Sequence, residues 1–296
     1  MVIFNTFESI FRFFREVVLF LTPLKYYRND PIGYIPLPFG SVIHHINADL
    51  TKSTNLYWTL ACTYGGETRD TQIFLVRPFN TALPSLIFHH PSGETNHSLA
   101  YSFILGPAIT RHFNVFLIKA QKHSSTGEFL RGCVDTFLHH QLTFAGSVLA
   151  AEKITRYHRT HAKTKIVISG ASMGGIVAAL HAYFFGSADH YFPLAAYPNV
   201  GEIFMGTSYR FGIYDWAHKR TNAHYLKSFQ LSKPFRKATL RRITPILGRH
   251  DRIVLFQKAA SFWKHMYIPF HSYPYGHFTP AIVRKEIQRL IITAAK

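Results

Sequence analysis

Cysteine and acidic side chains are both scarce in this sequence. Only two cysteines, Cys62 and Cys133, occur among 296 residues, which excludes a disulfide framework and a four-thiolate zinc site and leaves room for one bridge at most. Asp and Glu total 15 against 33 Lys and Arg, and charged residues make up 16% of the chain, below the roughly 25% usual for soluble domains. The formal charge of +18 points toward anionic partners such as nucleic acid, acidic membrane surfaces or phosphate-bearing substrates. No run approaches the ~18 consecutive apolar residues of a membrane span. The nearest, residues 17–24, is short and adjoins Arg15 and Glu16. No basic segment precedes it and no small-residue cleavage site follows, so a secretory signal is not expected and a cytoplasmic location is.

What the chain does hold is apolar and aromatic. Hydrophobic residues make up 47%, and 27 of the side chains are Phe, enough to bury a sizeable core and to exclude disorder for most of the length. At the start, Phe4, Phe7, Ile10, Phe11, Phe14, Val17, Val18 and Leu21 recur at three- and four-residue steps. That spacing predicts an amphipathic helix, with Asn5 and Glu8 as a capping box and Pro23 as its stop. Packing on the core is one use for it; peripheral contact with an anionic membrane is the other, because Phe13, Leu19 and Phe20 widen the apolar face.

Strand-like runs follow at 56–63, 72–76 and 85–89, separated by turn residues. The pattern then alternates. Helical stretches at 99–111, 135–157 and 174–183 precede apolar runs at 115–118, 166–169 and 191–196, which implies right-handed βαβ crossovers and a mostly parallel sheet. Residues 201–242 break the rhythm with nine basic residues against Glu202 and Asp215. It resumes with a strand at 243–247, a helix at 256–266, a strand at 267–272 and a last helix presenting Val283, Ile287, Leu290 and Ile291 on one face. The economical division is an N-terminal helix and extended arm over 1–55, then one α/β domain over 56–296 with an inserted cap at about 201–242.

The strongest local signal is Gly170-Ala171-Ser172-Met173-Gly174-Gly175, which follows an apolar strand and opens a helix. A serine at the tip of such a turn is driven to positive φ, and its neighbours two positions away must be small. Serine needs a base, and the base needs an acid to orient it. His277 stands between the last predicted strand and the last helix, and Asp251 follows the strand at 243–247, so both fall at carboxyl ends of strands. Asp189 and Asp215 also follow the serine, but the first precedes its strand and the second lies inside the basic insertion.

The chain order Ser172, Asp251, His277 resembles that of an α/β-hydrolase superfamily serine hydrolase of the esterase, lipase or thioesterase kind, over roughly residues 56–296. The resemblance implies an α/β-hydrolase fold, with Ser172 as nucleophile, His277 as general base and acid, and Asp251 fixing the imidazole tautomer. It also implies an oxyanion hole, with one N–H from Met173 and the other from the loop His89-His90-Pro91-Ser92-Gly93-Glu94. There His90 matches the family's His-Gly loop, but Pro91 stands where glycine is usual and has no N–H, which makes Ser92 the expected donor and Gly93 its substitute. The implied reaction cleaves a carboxylic ester or thioester of a small acyl or lipid-like molecule, and no cofactor or metal is expected.

Other constellations are weak. His158 and His161 have helical ligand spacing without an acidic partner. There is no glycine-rich phosphate loop and no compact base-stacking motif, so nucleic-acid binding rests on charge alone and no specific nucleic acid is expected. The competing expectation is an inactive hydrolase-fold protein that binds anionic lipid or nucleic acid.

Overall fold

The computed structural model describes residues 9, 10, 17, 21, 25–231 and 233–296. The amphipathic helix expected over Phe4–Leu21 lies outside them, save four isolated positions. Helix α1 (Phe39–His45) leads into β1 (Asn47–Lys52), which pairs antiparallel with β2 (Tyr57–Tyr64), and β2 with β3 (Glu67–Leu75). The sheet therefore begins at Asn47 and not at 56, which corrects the expected extended arm. In β1 only Ala48 and Leu50 are half-buried, and the rest, Asp49 and Lys52 included, are exposed, as suits an edge strand rather than an apolar run.

From β4 (Ser85–His89) onward the crossovers follow the expected alternation. Helix α2 (Leu99–Ile104) ends before Gly106, whose φ of 68° and following Pro107 convert the rest of the predicted helix into a 3-10 turn at Pro107–Arg111. After β5 (Asn114–Lys119) come the short α3 (Thr126–Gly132) and the long α4 (Phe137–His161), capped by the Thr136 hydroxyl, which accepts from the His139 N–H at 3.0 Å. Next are β6 (Ile166–Ala171), α5 (Met173–Phe184) and β7 (His190–Leu194). The insertion folds as four short helices, α6 (Val200–Gly206), α7 (Trp216–Lys219), α8 (Ala223–Lys227) and α9 (Lys237–Leu240). The chain closes with β8 (Ile246–Gly248), α10 (Phe256–His265), β9 (His271–Tyr273) and α11 (Arg284–Ala294).

Among the described residues nine strands form one sheet in the order β1-β2-β3-β5-β4-β6-β7-β8-β9, with every pair from β5 to β9 parallel. Both faces are apolar because the strands alternate: Phe116 and Ile118 enter one core cluster, Val115 and Leu117 the other. α4, α5 and α10 cover the first face, and α2 and α11 the second.

Residues 25–39 and the insertion clasp each other. Tyr26 bridges Ile213, and the Tyr26 N–H donates to the Gly212 carbonyl at 2.7 Å. The buried Asp30 carboxylate accepts from the Phe137 N–H at 2.8 Å and the Tyr225 hydroxyl at 2.6 Å, with Lys219 Nζ at 3.7 Å. Lys219 Nζ also donates to the Tyr27 carbonyl at 3.0 Å. This buried cation is thus structural. Both cysteine thiols are free and buried, and burial pushes each up to about 12. Among the described residues no helix is long and apolar enough to cross a membrane.

Several core histidines are neutral. Burial lowers His89 and His140 to about 3 and His123 to about 4, and holds His90 well below the ordinary value. Each binds a proton in the unfolded chain below about pH 6.5 that it refuses in the folded one, so acid favours unfolding. Stability to urea is expected to fall as pH drops from about 6.5 to about 4, where these four rings outweigh the one carboxyl, Glu94, that burial raises to about 7. The slope reaches about 1.4 kcal/mol per pH unit for each such ring. Urea midpoints measured across this range check it, and an unchanged midpoint at pH 4 would contradict the buried neutral state.

Candidate active site

Ser172 occupies the turn between β6 and α5 with φ 54° and ψ −112°, a backbone region that L residues rarely adopt and that costs about 1–3 kcal/mol. Its neighbours make the turn possible. A Cβ on Gly174 would lie 2.0 Å from the His89 carbonyl oxygen, and one on Gly170 would lie 2.6 Å from that same oxygen. A Cβ on Gly175 would meet the Ala196 side chain at 2.6 Å. The end of β4 is thereby pressed against the turn, and Ser172 is left at its tip, 8% exposed.

His277 and Asp251 converge on it from the loops after β9 and β8, at the same carboxyl edge of the sheet. His277 Nε2 is 3.0 Å from Ser172 Oγ, and Nδ1 is 2.8 Å from Asp251 Oδ2. The other carboxylate oxygen, Oδ1, accepts the N–H groups of Ile253 at 2.9 Å and Val254 at 2.8 Å, so the buried Asp251 cannot swing away. The His277 loop is held by buried Tyr275, whose hydroxyl donates to the Ile246 carbonyl at 2.8 Å. Asp189 sits at the opposite end of the sheet, where Oδ2 accepts from Arg159 and from the Ile166 N–H. Asp215 is exposed in the insertion at φ 50°.

The loop after β4 is built on its two histidines. His89 Nδ1–H donates to the His90 carbonyl at 2.7 Å, and His90 Nδ1–H donates to the Pro91 carbonyl at 2.7 Å. His90 Nε2 accepts from the Ala120 N–H at 3.0 Å, which fixes that tautomer. The Pro91–Glu94 turn follows, with Gly93 at φ 76° and Ser92 lining both cavities that Ser172 lines, the smaller of them together with Met173. Met173, as the first residue of α5, has an N–H with no intrahelical acceptor.

A cleft of about 410 Å³ opens over Ser172, Ser92 and His277. Its apolar walls include Leu99, Phe103, Ile253 and Phe278. Glu94 and Tyr209, which sequence reasoning missed, line it too. Burial raises the Glu94 carboxyl to about 7, against the Ala100 N–H that donates to it at 3.1 Å. Glu94 stands two residues past Ser92 and could have been found by following that loop. Tyr209 comes from the insertion, and no sequence signal marks it. Among the described residues that line this cleft none is Lys or Arg; Lys233 and Arg236 line a separate cleft of about 600 Å³ beside α1, whose described lining includes neither Ser172 nor His277. No group of side chains that could hold a metal occurs among the described residues.

No family model and no curated protein sequence matches the chain. Solved structures do. An acetyl xylan esterase from Thermoanaerobacterium sp. JW/SL YS485 superposes with a TM-score of 0.58 at 14% identity, over 92% of this chain and 97% of that one. Brefeldin A esterase, a bacterial homologue of human hormone-sensitive lipase, gives 0.51 at 12% identity over 93% and 88%. Oligopeptidase B from Leishmania major gives 0.52 at 12% identity over 85% of this chain and 36% of that one. The chain has the α/β-hydrolase fold. In an α/β-hydrolase fold the strand-to-helix turn after β6 depends on small neighbours, and here Gly174 carries the closest approach. Gly174→Ala must displace the end of β4. We expect a stability loss of about 1–3 kcal/mol, the usual range for overpacking, read as a lower denaturant midpoint. An unchanged midpoint would mean that β4 yields freely.

Proposed function

We propose that the protein is a serine hydrolase that cleaves carboxylic esters through an acyl-enzyme. The observation that carries this reading is the unbroken hydrogen-bonded relay from Ser172 Oγ through His277 to Asp251, placed on a strained turn at the floor of an apolar cleft. In the proposed cycle Ser172 Oγ attacks the ester carbonyl carbon while its proton passes to His277 Nε2. The tetrahedral oxyanion is held by the N–H groups of Met173 and Ser92. The carbon–oxygen bond to the alcohol then breaks, and His277 gives its proton to the departing oxygen. Water attacks the acyl-enzyme, loses a proton to His277 and releases the acid as Ser172 recovers that proton. Asp251, in contact with Nδ1, holds the ring in place and steadies the imidazolium. The neighbouring structures named as esterases support an ester as substrate, and a thioester would follow the same steps.

The basic insertion enters this reading only at a distance. Its Lys233 and Arg236 border the other cleft, a placement that argues against their drawing substrate to Ser172 and leaves anionic membrane contact as the use we assign to that face.

A fluorophosphonate probe tests the proposal, because only an activated serine reacts with it. Ser172→Ala should abolish both labelling and ester hydrolysis while leaving the denaturant midpoint nearly unchanged. Asp251→Asn should reduce kcat by up to about 10⁴, the loss known for the equivalent change in a protease of another fold, whereas Asp215→Asn should leave it within about twofold, as a surface change does. Equal losses in the two Asn variants would remove Asp251 from its role. An unlabelled wild-type protein would favour the inactive binding protein instead.

A further inference from the structure

Two cavities of very different size flank Ser172. The wide one is the cleft of about 410 Å³, bounded by His277, Phe278 and Pro280. The narrow one is a recess of about 10 Å³ on the other side, bounded by Met173, Ile176, Phe144, Ile203 and Phe204. Ser92 and Ser172 border both. Acyl transfer assigns the two spaces different cargo. The leaving oxygen must come within hydrogen-bond reach of His277 Nε2 to receive its proton, and His277 bounds only the wide cleft. The alcohol therefore occupies the cleft, and the acyl substituent, on the other side of the carbonyl carbon, is directed into the recess.

We infer that the protein removes short, uncharged acyl groups of about acetyl size from bulky alcohols. This rests on the ester-hydrolase reading and adds a substrate class to it. A recess of about 10 Å³ takes one water-sized group, which a methyl fills. Its walls do not give readily. Ile176 and Ile203 are 3% and 2% exposed, and the Phe204 ring stacks on Tyr209 with centroids 4.3 Å apart and meets His140 edge-on at 4.6 Å. Nor does the recess offer a countercharge to an acyl carboxylate. His140, its basic side chain, bonds through Nδ1 to the Tyr27 hydroxyl at 2.8 Å, and burial keeps its ring neutral. On the other side, Leu99, Phe103 and Phe278 give a large alcohol apolar surface to cover.

The test compares p-nitrophenyl acetate, butyrate and octanoate, which share a leaving group, and sets 1-naphthyl acetate against phenyl acetate, whose leaving groups are alike in basicity and differ in size. We expect kcat/KM to fall by about 10-fold or more from acetate to butyrate, since one methylene in a tight pocket is worth about 10–200-fold, and to stay the same or rise from the phenyl to the naphthyl ester. Ile176→Ala and Ile203→Ala, which widen the recess, should each raise the butyrate-to-acetate ratio by about tenfold; Ile176→Val is the gentler form should the alanine variants fail to fold. A protein that labels with fluorophosphonate yet cleaves octanoate as readily as acetate overturns the short-acyl assignment alone, as does an unchanged ratio in widened variants that still label. A protein that neither labels nor cleaves any of the esters overturns the hydrolase reading and this assignment with it.

Discussion

The contact on which the rest of the site depends is the one between the His89 carbonyl and the backbone of Gly170 and Gly174. It presses the end of β4 against the turn after β6 so closely that no side chain fits between them. The positive φ of Ser172 persists because this packing leaves the chain no other course. The same contact fixes where the loop after β4 departs, so the turn that offers Ser92 is placed by the glycines that place Ser172. A comparable approach secures the other half of the site: a Cβ on Gly248 would lie 2.4 Å from the Tyr275 carbonyl oxygen. β8 and the His277 loop are therefore joined as tightly as β4 and the serine turn.

Much of the fold was legible because apolar runs and helical periods alternate along most of the chain. The parallel strands from β4 to β7 and the helices α4, α5, α10 and α11 stand within a few residues of where periodicity puts them. α1 and β1 were not legible. The helix spans about two turns and lacks a side-chain cap, and the strand is polar on its exposed positions. β8 is only three residues long, so the apolar run from Ile243 overstates it; Ile243 makes an isolated bridge to Tyr191 instead. The insertion was opaque for a different reason. Its helices are short and draw their order from residues 25–39, far away in sequence, and no local pattern encodes such a partnership. At the site, residue order was enough to single out Ser172, Asp251 and His277, and the structure brings them within hydrogen-bond distance of one another. The cavities on either side of Ser172 depend on side chains from five or more elements, which a linear reading does not assemble.

Charge and cleft are separate features of this molecule. The sequence carries +18 overall, yet the cavity over Ser172 is walled by apolar side chains and a carboxyl. Basic residues of the insertion have other tasks. Lys219 is buried against Asp30 and the Tyr27 carbonyl, and Arg242 reaches the Gly186 and Ala188 carbonyls at 3.4 Å. Net charge describes how such a protein meets its surroundings, and the local lining of the cavity describes what can enter it.

The clasp between residues 25–39 and the insertion also bears on how the chain is made. Lys25 binds the Phe211 carbonyl, 186 positions along the sequence, and Tyr225 binds Asp30 across 195. At a synthesis rate of about 5–20 residues per second, the early segment leaves the ribosome roughly 10–40 seconds before its partner exists. During that interval Tyr26, Tyr27 and Phe39, all buried in the finished protein, lack the part of their cover that comes from Phe204, Tyr209, Tyr225 and Phe229. The nascent chain thus carries an incompletely covered aromatic segment until the insertion is made, which is where chaperone engagement or misassembly would begin.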